Sequence, residues 1–71
     1  MLSFEYMRQY LDDIKQYGKT IDDVINEMET DIERFTREIE KGNNIEAFIK
    51  EREMFISNLH SWYKYKQFMK L

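Results

Sequence analysis

Two glycines and not one proline punctuate these 71 residues, and each glycine stands where one apolar periodicity stops and another starts. Thr20 follows Gly18, and Asn43 and Asn44 follow Gly42. Glycine accepts the left-handed conformation that ends many helices, while Thr and Asn cap the start of the next, so the pattern reads as three consecutive helices. The fold class that follows is all-α. Antiparallel helices over about 4–17, 21–41 and 45–69 form either a three-helix bundle or a helical hairpin with an added N-terminal helix, in a single domain, 1–71.

The apolar spacing assigns a face to each helix. In the first, Phe4, Met7, Leu11 and Ile14 recur at helical intervals behind Ser3 as N-cap, with Tyr6, Tyr10 and Tyr17 on one flank. The second is cleanest: Ile21, Ile25, Met28, Ile32, Phe35 and Ile39 alternate steps of four and three, a heptad seam, with Asp22 and Asp23 at its positive end and Lys41 at its negative end. The third carries one core stripe of Ile45, Phe48, Ile49, Phe55, Ile56, Leu59, Trp62 and Tyr63. A second stripe of Ala47, Met54, Tyr65 and Phe68 lies on roughly the opposite side of that helix, where a monomeric bundle has nothing to cover it.

A single core of this size leaves little net stability, and the usual reinforcements are missing. There is no cysteine and only one histidine, which excludes disulfides and the ordinary zinc sets. Association with a protein partner or with its own copies is therefore expected. No apolar run approaches the roughly 20 residues needed to span a bilayer, and the N-terminal segment lacks the apolar core of a signal peptide, so a cytoplasmic location without a membrane partner is expected. The net charge of −3 is unevenly spread. Residues 18–41 hold four bases against eight acids, residues 42–71 five against three, and the overall acidity disfavours sequence-independent nucleic-acid binding.

Motifs that carry chemistry are scarce. No phosphate-binding glycine loop, HExxH, or calcium loop occurs, so no catalytic residue, metal ligand, cofactor or small-molecule substrate is assigned. Arg52 and His60 approach the motif of the helical HEPN ribonucleases, but their spacing does not match it, and eight positions on one helix set them about 12 Å apart along the axis. Arg52 falls inside the core stripe and should either take a carboxylate partner or snorkel out along the helix edge. The C-terminal stretch interleaves Trp62 and other aromatics with Lys64, Lys66 and Lys70, the pattern of a single-strand binder. The acidic face of the second helix offers a different possibility, imitation of phosphates toward a basic protein.

The function expected is that of a small non-enzymatic interaction module, an adaptor, inhibitor or regulator of the kind phages and mobile elements use. Its anchors would be Met54, Tyr65, Phe68 and Ala47, then Tyr6, Tyr10 and Tyr17, because aromatic and Met side chains bring large contact area at low entropic cost. Two alternatives stand beside it: a nucleic-acid-binding regulator using the basic aromatic helix end, and a small ribonuclease-like protein.

Overall fold

A computed structural model describes residues 2–71; Met1, which opens the expected domain, lies outside the described residues. Three helices account for the fold: α1, Phe4–Lys15; α2, Ile21–Lys41; and α3, Ile45–Met69. No strand occurs among the described residues, and no helix is long and apolar enough to cross a membrane.

The caps explain the boundaries. Ser3 Oγ accepts from the Tyr6 N–H at 3.1 Å to open α1, and the Asp23 carboxylate accepts from the Thr20 N–H at 2.8 Å to open α2. Each glycine closes a helix with the paired reverse bonds of a Schellman motif. After α1, Lys19 N–H donates to Ile14 O (3.3 Å) and Gly18 N–H to Lys15 O (3.0 Å), with Gly18 at φ 74°. After α2, Asn43 N–H donates to Glu38 O (3.1 Å) and Gly42 N–H to Ile39 O (3.0 Å), with Gly42 at φ 81°. The bounds of α2 and α3 agree with expectation, whereas α1 ends before Tyr17, which belongs to the closing turn. Asn44 begins α3 in the left-handed region without capping it through its side chain.

α2 and α3 form an antiparallel hairpin. Lys66 pairs with Asp22, the Tyr63 hydroxyl donates to Glu29 Oε2 at 2.8 Å, and Phe35 packs on Phe55 and Phe48 with ring centroids 5.1 and 5.8 Å apart. α1 lies against the C-terminal part of α3. Leu2 N–H donates to Ser61 Oγ at 3.3 Å, Phe4 meets Tyr65 at 5.3 Å and Phe68 at 5.2 Å, and Tyr10 meets Trp62 at 5.6 Å. Since Leu2 sits at Ser61 while Leu11 shares a cleft with Leu71, α1 runs in the same direction as α3.

The main core gathers where all three helices meet: Met7, Ile21, Val24, Ile25, Trp62 and Tyr65, backed by Leu2, Leu11, Ile14, Met28 and Leu59. The heptad seam of α2 faces inward throughout, with Ile21, Ile25 and Phe35 buried and Met28, Ile32 and Ile39 half-buried. Two expectations for α3 need correction. Ile45, Ile56 and Tyr63, read as core, are each more than two-fifths exposed. Tyr65, read as uncovered, is only 4 % exposed. Both follow from where α1 lands: it covers the Tyr65 side of α3 and leaves the Ile56 side bare.

Met7→Ala should lower unfolding free energy by about 2–5 kcal/mol, read as a reduced urea midpoint, because it removes the α1 residue most deeply set in this cluster. Gly42→Ala should cost about 1 kcal/mol. A Cβ at Gly42 meets nothing within 4 Å, so that loss is purely the penalty of a left-handed backbone.

Candidate interaction surface

The length of α1 determines which surfaces remain open. Its 12 residues rise about 18 Å, whereas the 25 of α3 rise about 37 Å, so α1 covers only part of its neighbour. The expected stripe of Ala47, Met54, Tyr65 and Phe68 is consequently divided. Tyr65 is enclosed under Phe4, Phe68 touches Phe4 yet remains 69 % exposed, and Met54 is 49 % exposed. Ala47 is exposed as well. Three of the four anchors lie at the surface, and the fourth helps to hold α1.

The tyrosine flank of α1 is also open. Tyr6 and Tyr10 stack with centroids 6.2 Å apart, and with Leu2, Val24, Met28, Asn58 and Trp62 they line a cleft of about 180 Å³. Tyr17 stands apart from them in the turn after α1, exposed. Trp62 is 1 % exposed, and its indole N–H has no hydrogen-bond partner among the described residues.

The residues of the expected nucleic-acid surface are divided between core and surface. Stacking on a base requires an accessible ring face, and Trp62 is enclosed between helices. Of the three lysines, Lys66 is engaged by Asp22, while Lys64 and Lys70 are exposed. Arg52 is half-buried as expected, but its partner differs. Its Nη1 donates to Thr36 Oγ1 at 3.2 Å, and that hydroxyl in turn donates to Ile32 O at 2.9 Å; a hydroxyl replaces the expected carboxylate. His60 is exposed. Among the described residues no group of three acids or histidines is placed to hold a metal ion.

Sequence reasoning missed the bond between Tyr63 and Glu29 across the hairpin. A neutral phenol donating to a carboxylate would become two adjoining anions on ionisation, so this bond holds the Tyr63 hydroxyl above the usual tyrosine range, with partial desolvation and the Glu29 charge adding to it. The folded chain keeps a proton that the unfolded chain has released, and stability therefore falls as pH rises through the ordinary tyrosine range. Glu29→Gln should return the Tyr63 transition toward its ordinary value, measured by difference absorbance titration against Tyr63→Phe.

Comparison with protein-family profiles, curated proteins and solved structures finds no match to this chain.

Proposed function

We propose that this chain is a non-enzymatic helical interaction module that works in the cytosol by binding another protein or its own copy, as an adaptor, inhibitor or regulator does. One observation carries the reading: α3 bears large apolar side chains around its circumference, and α1 is too short to cover the side on which Met54 and Ala47 stand. A Met at 49 % exposure is an adaptable anchor, able to fit an irregular partner surface. Phe68, 69 % exposed beside Phe4, offers a second apolar contact toward the other end of α3. Such association supplies the stability that a lone core of this size lacks.

Met54→Asp and Phe68→Asp should leave helicity by circular dichroism unchanged, because both residues are exposed. Either substitution should reduce the mass seen by light scattering, or abolish co-purification of a bound protein. Wild-type behaviour in both variants would refute the reading.

A further inference from the structure

On resting on the reading that this chain acts by binding, the opposite side of the hairpin gains a specific occupant. At about 100° per residue, Ile45, Ile56 and Tyr63 fall within about 20° of one another on α3, a row about 27 Å long. Tyr65 and Ser61, the residues that receive α1, point roughly the other way. Two contacts place the row beside one edge of α2: Tyr63 to Glu29, and Arg52 to Thr36. Nothing in the fold covers it, and Ile56 remains 44 % exposed.

The rims of this row are predominantly acidic. Glu33 and Glu40 follow Glu29 along the same edge of α2, at steps of four and eleven residues, and Glu46 and Glu53 flank the row on α3. None of these five carboxylates belongs to an ion pair among the described residues, whereas Glu5, Asp12, Asp22, Glu27, Asp31 and Glu38 all do. Two cations belong to the face: Arg52 lies within the row and is bonded to the neutral Thr36 hydroxyl, and Lys64 shares the flank of Glu46 toward the Tyr63 end, with His60 beside it, while Arg37 and Lys50 stand one row further out.

This distribution decides against a second copy. A two-fold axis across the helices would stack α2 on α2 of the other copy, setting Glu29, Glu33 and Glu40 against their own equivalents. An axis along the helices would instead bring those residues onto the other copy's α3 beside Glu46 and Glu53. Either way two faces on which five carboxylates outnumber Arg52 and Lys64 are brought together, and such juxtaposition is unfavourable. We infer that the Ile45–Ile56–Tyr63 face docks an amphipathic helix of another protein, of about 18 residues, with an aliphatic stripe and Lys or Arg on both flanks.

The test is titration of the full chain with a labelled designed helical peptide, Leu at helical spacing and Lys on both flanks, beside a control with Glu replacing Lys. The Lys peptide should bind and the Glu peptide should not. Binding should weaken about ten-fold in Ile56→Ser, and similarly in Glu33→Gln/Glu40→Gln, while Met54→Ser binds as wild type. Equal binding of the two peptides, or an unchanged affinity in Ile56→Ser, would overturn the assignment. So would a dimer in sedimentation equilibrium that Ile56→Ser dissociates. Loss of mass in Met54→Asp with intact peptide binding would leave both readings standing; peptide binding that fails while Met54→Asp still changes the mass removes this one alone.

Discussion

The packing of α1 against the C-terminal part of α3 is the constraint on which the molecule depends. A two-helix hairpin cannot enclose side chains on both of its faces, and this one becomes a core only where Met7 joins Trp62, Tyr65, Ile21, Val24 and Ile25. Burying apolar surface contributes about 25 cal/mol per Å², so side chains of this size account for much of what holds the chain together. Beyond the reach of α1 the hairpin is sustained mainly by its own seam, with Phe35 between Phe48 and Phe55. The guanidinium of Arg34 lies 4.7 Å from the centre of the Phe35 ring, a cation against an aromatic face where no third helix arrives.

That arrangement separates the jobs of the apolar residues on α3. Those toward α1 build the core, those toward α2 build the seam, and those left over keep much of their surface in solvent. The surplus is the basis for assigning binding to the chain. Its two exposed parts differ in character: Met54 and Phe68 lie in surroundings of mixed charge, while along the row through Ile56 carboxylates outnumber the cations Arg52 and Lys64.

Helix boundaries were legible because local chemistry sets them. Gly18 and Gly42 adopt the positive φ that ends a helix, and the α2 seam was legible because its other faces are polar, leaving one way to turn it. The faces of α3 were not. With apolar residues on every side, periodicity alone offers no preference between the Ile56 side and the Tyr65 side, and the choice depends on which side of the α2–α3 hairpin α1 occupies. The same ambiguity exchanged Tyr65 with Ile45, Ile56 and Tyr63 in the expected core. Arg52 was correctly read as enclosed, but identifying Thr36 as its partner required the register of the hairpin.

The contact between Leu2 and Ser61 imposes an order on assembly. α1 precedes the surface that receives it, from Ser61 to Phe68, by a long stretch of chain: Leu2 and Ser61 are 59 residues apart. The α2–α3 hairpin closes over a three-residue turn and forms through contacts of short sequence separation, which are fast, whereas α1 must bridge nearly the whole chain. Until that surface has formed, α1 can pack only on α2, through Met7 against Ile21, Val24 and Ile25, and Met7 lacks the cover of Trp62 and Tyr65.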